Sequence, residues 1–388
     1  MIAKKNIIIR TKIHGMVIMK GLIKNRVFYL IIGALILLYF IFPNSVSKSV
    51  GDSLVLCKNV VIPSLFFFFI LSNLFIESGM CQSIGRVLSK ILSPLFNLSG
   101  PACVAFILSL IAGYPAGGIG CVTLYKSGGI SKAECERLLM FSNNCGPAFI
   151  ITAVGASMLG SIKTGVILYI VHIFSAVSLG IITGRMSKKS ESSAISGMKS
   201  AKKSPLILFT EAIKKSAAIM LDVCAIIVTF SAVTGLLTSC GIFEMLSDIL
   251  KAANIPDIVS SSLPAAILEL TYGASLICRE NADTVMTAAL LSGIIGFGGF
   301  CVHIQLLPYI HEAGLKSKKY FIGKTLHGVI SFIITFMIMK FLYKTGAVFA
   351  PSTFSASASD YLLSSVLLFF CAAGALMIAA IMILKRKR

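Results

Sequence analysis

Apolar residues along this chain gather into long runs, and polar residues are confined to short intervals between them. A helix needs about 20 apolar residues to cross a hydrocarbon layer of about 30 Å. Six stretches meet that length, some with the help of their flanks: 27–42, 54–76, 164–183, 219–237, 321–342 and 361–384. They predict transmembrane helices. Shorter apolar pieces cut by Gly and Pro stand between them, at 102–112, 116–124, 147–159, 261–276 and 285–307. Non-helical backbone at membrane depth is tolerated only where protein or a water-filled cavity satisfies its polar groups. The interrupted pieces therefore predict re-entrant or broken helices, and they mark where a site would lie.

Two stretches alternate with helical spacing instead. In 81–96, Arg86 and Lys90 are interleaved with Ile84, Val87, Leu88, Ile91 and Leu92, the pattern of a helix lying in a membrane interface. The stretch 131–139 opens on Ser131 and Glu134, a capping box, and is read as a second interfacial helix. Residues 185–204 are rich in Ser and Lys and predict a linker.

That linker parts two halves whose features recur in one order. Each half opens on a helix, ending near Ser78 in the first and at Cys240 in the second, and an amphipathic piece follows. Leu108-Ser109-Leu110 then precedes Gly113-Tyr114-Pro115, as Leu268-Glu269-Leu270 precedes Thr271-Tyr272-Gly273. Ser142 to Gly146 and Ser292 to Gly296 come next, and a Lys-Thr pair (Lys163-Thr164, Lys324-Thr325) opens each closing span. The shared order predicts a duplication.

Charge orients the two halves. The chain has 35 Lys+Arg against 15 Asp+Glu, a net charge of +20. The cations collect at 1–26, 185–203, 316–324 and 385–388, which places these intervals and both termini in the cytoplasm. The first half then opens and closes with helices running inward, and the second with helices running outward. Inverted repeats of this kind are a signature of secondary transporters. The expected fold class is all-α: a polytopic membrane protein of two inverted repeats, each with a re-entrant or broken helix, plus flanking transmembrane helices. Its parts are a basic cytoplasmic N-terminus (1–26), an anchor helix (27–43), a first repeat (54–184), the linker (185–204), a second repeat (205–344) and a C-terminal helix (361–384). No small-residue cleavage site follows the first run, which reads as a signal anchor, with Met16 and Met19 as alternative starts.

Composition narrows the classes further. Of 388 residues, 56% are hydrophobic and 13% are charged, about half the charged share of a soluble domain. The partner this implies is the lipid bilayer. No RNA-binding aromatic motif accompanies the cations, so nucleic acid is not an expected partner. Eleven scattered cysteines without a Cys-x-x-Cys pair, and five histidines without ligand spacing, read as buried packing, so no metal or cofactor is expected. No nucleophile–base pair or Walker loop is present, and no enzyme is expected.

Three motifs carry the candidate chemistry. Gly113, Tyr114, Pro115 and Gly117 form a turn between two apolar arms, where glycine permits a tight reversal and proline ends a helix. It is either the tip of a hairpin facing substrate or a plain packing turn. Ser142, Asn143, Asn144 and Gly146 precede Pro147, a good helix start. At membrane depth its free N–H groups would suit an anionic or strongly polar solute; at the surface it is an ordinary cap. Glu269 is the one carboxylate in its apolar run, with the hydroxyls of Thr271, Tyr272 and Ser292 expected nearby. An ionisable group there is a proton or cation carrier or a substrate partner, unless an interfacial or salt-bridged position accounts for it.

The Pro63-Ser64-Leu65-Phe66 opening, the Gly113-Tyr114-Pro115-Ala116-Gly117 turn and the run Glu136-Arg137-Leu138-Leu139-x-Phe141-Ser142-Asn143 resemble the YlbJ family of sporulation integral membrane proteins. The likeness covers about residues 27–345. It implies a Gate, or nucleoside-recognition, domain, of the kind shared with spore maturation membrane proteins, ferrous-iron transporters and concentrative nucleoside transporters. It further implies an endospore-forming Gram-positive host and a role in making the spore, its cortex in particular, alongside other sporulation membrane proteins. The polar motifs with which nucleoside transporters hold their substrate do not map onto positions here. The leading expectation is a transporter-like protein for a small polar or anionic solute, with Glu269 as coupling group. The alternative is a non-transporting scaffold or signalling protein of the spore envelope.

Overall fold

The computed structural model describes residues 29–78, 80–187, 204–279 and 284–344. The basic N-terminus, most of the expected linker and the expected helix 361–384 lie outside the described residues. Among the described residues every regular element is helical.

Helix α1 (Tyr29–Ile41) meets α2 (Pro43–Leu56) at a bend of 97°. At 1.5 Å per residue α1 is about 20 Å long, short of a crossing on its own. A π-helical turn (Cys57–Val61) and α3 (Ile62–Glu77) continue directly from α2. α4 (Met80–Phe96) is the amphipathic helix expected from the sequence, and α5 (Gly100–Ala112) turns 84° away from it into the apolar bundle. α6 (Ala116–Lys126) returns from α5, making a helical hairpin. After the short α7 (Lys132–Leu138) come a non-helical stretch, a π-helical segment (Ala148–Met158) and α8 (Ile162–Arg185).

The second half keeps this order. α9 (Pro205–Ser239), a 35-residue helix, matches Pro43–Glu77 in length and also begins on proline. The amphipathic α10 (Ile242–Ala252) precedes a second hairpin, α11 (Asp257–Leu268) and α12 (Leu270–Arg279). α13 (Thr284–Phe297) and α14 (Gly299–Glu312) follow, and α15 (Ser317–Lys344) closes the described chain.

The two long helices run antiparallel. Near one end Ser45 bonds Ser239, and Ser231 Oγ donates to the Ser49 carbonyl at 2.9 Å. Near the other, Asn73 Nδ2 donates to Ser216 Oγ at 3.1 Å, and Lys215 pairs with Glu77. Corresponding helices pointing opposite ways are what an in-plane two-fold produces. The closing helices α8 and α15 also meet, through His172 and His327, each ten residues on from its helix's first residue. Packing around them differs between halves: the π-helical segment lies on α8, whereas α13 lies on α15.

Among the described residues four helices are long and apolar enough to cross a membrane: Ile162–Arg185, Pro205–Ser239, Thr284–Glu312 and Ser317–Leu342. The bent pairs that include α1 and α4 raise the number to six. The third corrects an expectation: the glycine break at 298 bends the helix too little to stop α13 and α14 from forming one span. It is also the most buried of the four.

Helix α7 departs from its expected interfacial place. Ser131 caps it, its Oγ accepting from Glu134 N at 3.2 Å, but the Glu134 side chain does not complete the capping box, and Glu134, Glu136 and Arg137 are all buried. Glu134 accepts from the Ser99 N–H at 2.6 Å and its hydroxyl at 3.0 Å, holding the start of α5. Arg137 donates to the Phe96 carbonyl at 2.6 Å and to the Asn97 carbonyl, holding the end of α4. Burial pushes the Arg137 pKa down from its usual value, and Glu134 opposes the shift. Glu136 accepts from the Lys316 N–H at 3.0 Å, at the start of α15. One short helix thus ties the ends of three others through charge-assisted bonds.

Candidate functional site

Four interruptions in helices meet near the centre of the bundle. The first is the turn Gly113–Pro115, where Gly113 has φ +78° and the Tyr114–Pro115 peptide is cis. The second is the stretch 142–147 before the π-helical segment. They lie back to back: a Cβ on Gly113 would come within 3.1 Å of the Gly146 nitrogen. A Cβ on Gly117 would lie 2.5 Å from the Ser142 carbonyl, so this glycine lets 142–143 rest on the hairpin's second arm.

The third and fourth interruptions repeat the arrangement. Glu269 is extended (φ −138°, ψ 118°) between α11 and α12, and Gly298 (φ +99°) stands between α13 and α14. A Cβ on Gly299 would lie 3.2 Å from the Ala266 carbonyl and 3.3 Å from the Leu270 nitrogen. Tyr114 joins the two pairs. Its hydroxyl donates to the Ile295 carbonyl at 2.5 Å and lies 3.3 Å from where a Cβ on Gly298 would be.

Beside Tyr114 lies a residue that sequence reasoning places elsewhere. Charge counting groups Lys324 with the cytoplasmic cations and with the opening of a span; it is instead seven residues inside α15 and fully buried. Its ammonium donates to the Asn143 carbonyl at 2.7 Å and to Tyr114 Oη at 3.2 Å, and lies 3.4 Å from His327 Nδ1. It also sits 5.0 Å over the Tyr114 ring. Among the described residues no carboxylate pairs with it. His327 Nε2 meets the His172 carbonyl at 3.0 Å, and the two imidazoles are 4.5 Å apart. His172 Nε2 accepts from the Cys145 N–H at 3.0 Å. Asn143 Nδ2 donates to Tyr320 Oη at 3.0 Å, which lies 2.8 Å from His303 Nδ1.

Of the residues marked from sequence, Gly113, Tyr114, Pro115, Asn143 and Gly146 thus gather at this centre. Ser142 and Asn144 are buried beside them, with Asn144 Nδ2 donating to the Phe141 carbonyl at 2.9 Å and the Ser109 hydroxyl at 3.4 Å. Gly117 and Ser109 also line a narrow cleft, whose other wall includes Phe68, Ser72 and Ile76 of α3. Glu269 turns its carboxylate onto the N–H groups of Thr271 (2.9 Å) and Tyr272 (2.6 Å), capping α12. Tyr272 Oη faces Thr238 at 3.3 Å, on the α9 side. Ser292 bonds the Ser331 carbonyl at 3.2 Å and packs α13 on α15.

Lys324, His327, His172, His303 and Tyr320 carry no mark in the sequence motifs. One signal was present: Lys324 and His327 are three apart within an apolar helix and so share a face. Asp222, in the middle of α9, is a further intramembrane carboxylate, bonded by Tyr309 Oη at 3.0 Å. Among the described residues no three His, Cys, Asp or Glu side chains converge as a metal site.

Helices of this length and apolarity in an all-helical bundle define a polytopic membrane protein. Two comparisons narrow the class. Residues 60–162 match the Gate family model, described as nucleoside recognition. Over 306 residues the chain is 28% identical to the sporulation integral membrane protein YlbJ of Bacillus subtilis (strain 168), covering 73% of this chain and 75% of that one. The chain is thus similar to a sporulation integral membrane protein over nearly three quarters of its length, and its first half carries the likeness to the Gate model. No solved structure matches the chain significantly. The Gate match takes in the first hairpin, α7 and the stretch 142–147, so it includes half of the central crossing.

Proposed function

We propose that this chain serves spore formation, in assembly of the cortex, by moving a small polar or anionic solute through the central crossing. The observation that carries this reading is the back-to-back meeting of two pairs of helix breaks, bridged by Tyr114. Interrupted helices present unpaired backbone groups that a solute can use, and hinges at which two halves can rock. The antiparallel long helices support it, since inverted repeats supply inward-open and outward-open forms of one site. Glu269 is the proposed coupling group; its capping bonds tie its charge state to the start of α12. N- and C-termini both face the cytoplasm in this reading.

Cysteine accessibility tests it. Native Cys145 and single cysteines at 114, 272 and 294 are probed with a water-soluble maleimide from each side of sealed vesicles. At least one of these positions is expected to react from each side. Complete protection of all four from both sides rules out an aqueous site and with it transport.

A further inference from the structure

The hydrogen bonds around Lys324 determine its charge. Tyr114 gives its hydroxyl hydrogen to the Ile295 carbonyl, so its contact with Lys324 takes a hydrogen from the amine. The Asn143 carbonyl takes a second. His327 Nε2 faces the His172 carbonyl, so that nitrogen carries a hydrogen as well. The contact between Lys324 Nζ and His327 Nδ1 needs one more, from either partner. Four nitrogen-bound hydrogens are required, whereas a neutral amine and a neutral imidazole hold three between them. The pair therefore carries one extra proton and one positive charge, wherever the shared hydrogen sits.

Among the described residues nothing balances that charge. The groups facing the pair are Tyr114, Cys145, His172 and, through Tyr320, His303, and none of them is a carboxylate. Burying an unpaired cation is costly, and such charges are normally matched. A second feature points the same way. His172 accepts at Nε2, so its hydrogen is on Nδ1, and that buried atom has no partner among the described residues. His303, whose Nδ1 meets the Tyr320 hydroxyl at 2.8 Å, likewise has a buried Nε2 without a partner among the described residues. Among the described residues an uncompensated cation stands with one idle N–H donor and a further unpartnered ring nitrogen.

We propose that a small soluble oxyanion, a carboxylate or a phosphate, binds beside the Lys324–His327 pair and balances its charge, with His172 Nδ1–H as a hydrogen-bond donor to it. This rests on the central crossing being a solute site, and it names the solute's charge. It does not require that the solute be carried across.

The test is equilibrium binding by the purified full-length chain in detergent, read as the melting temperature against inorganic phosphate and acetate at constant ionic strength. A saturable rise is expected for the wild type with at least one of the two, retained in Lys324→Arg and lost in Lys324→Met. Should Lys324→Met fail to purify, His172→Phe carries the test, since it removes a donor without removing charge and is expected to weaken the response several-fold. No saturable rise in the wild type overturns the proposal. An equal rise in wild type and Lys324→Met also overturns it, as does a rise with anionic phospholipid alone. Binding without uptake in vesicles removes transport and retains the anion site. Uptake of a neutral solute without anion binding removes the anion site alone.

Discussion

Replacing Arg137 by Ala should loosen the outer end of the first hairpin, and the structure gives the size of the effect. The guanidinium is buried and bonds the Phe96 and Asn97 carbonyls at the end of α4. Removing it leaves two carbonyls without their donor, and a buried unsatisfied polar group costs about 1–3 kcal/mol. Water entering the vacated space satisfies part of that loss, so about 2–5 kcal/mol is expected. With an unfolding entropy of roughly 2 cal/mol/K per residue and 388 residues, this corresponds to a melting shift of about 3–6 °C. Thermal unfolding of the detergent-solubilised protein, followed by circular dichroism, measures it. Arg137→Lys should fall between wild type and Arg137→Ala, because one ammonium can reach one carbonyl well but lacks the fork that spans two. An Arg137→Ala protein that melts with the wild type would show that these bonds do not hold α4 to α7.

Two glycines on α6 should respond oppositely to alanine. Gly117→Ala drives a Cβ to 2.5 Å from the Ser142 carbonyl and should cost about 1–3 kcal/mol, whereas Gly120, whose nearest neighbour would be Ser72 at 3.8 Å, should gain up to about 1 kcal/mol of helix propensity; equal melting temperatures would contradict the packing of 142–143 on the hairpin. Glu269→Gln places an amide where the carboxylate accepts two N–H bonds, so about 1 kcal/mol of stability should go, and pH dependence of uptake should vanish. A Glu269→Gln protein whose pH profile of uptake matches that of the wild type would end its coupling role. Asn73→Leu removes the bond to Ser216 between the long helices and should cost about 0.6 kcal/mol; chemical denaturation of the variant against Ser216→Ala and the double variant isolates the pair.

Much of the architecture was legible because lipid imposes simple rules. Apolar length marks α8, α9 and α15, and the spacing of Arg86 and Lys90 marks α4. Gly113 and Pro115 announce the hairpin turn, since few other residues reverse a chain so tightly. Helix α7 misleads because its charges, Glu134, Glu136 and Arg137, look solvated in sequence, while their partners are backbone groups that no pattern reveals. Lys324 misleads for a related reason. It adjoins Lys316, Lys318 and Lys319, and a rule that counts cations cannot tell which one has turned inward. His172 and His327 are unreadable as a pair because they belong to different halves and meet only once both are packed. Glu269 shows a limit of another kind: rarity in an apolar run flags it, but does not distinguish a helix cap from a coupling group.

The pairing of Pro43–Glu77 with Pro205–Ser239 also constrains how the chain is made. Asn73 and Glu77 find their partners on a helix synthesised more than a hundred residues later. Until then the Asn73 amide of the earlier helix would lack this partner at bilayer depth, where an unsatisfied polar group is costly. The first half should therefore linger at the insertion machinery, or under a chaperone, until the later helix emerges from the ribosome. The later helix supplies that partner, which makes the order of synthesis part of how this membrane protein reaches its fold.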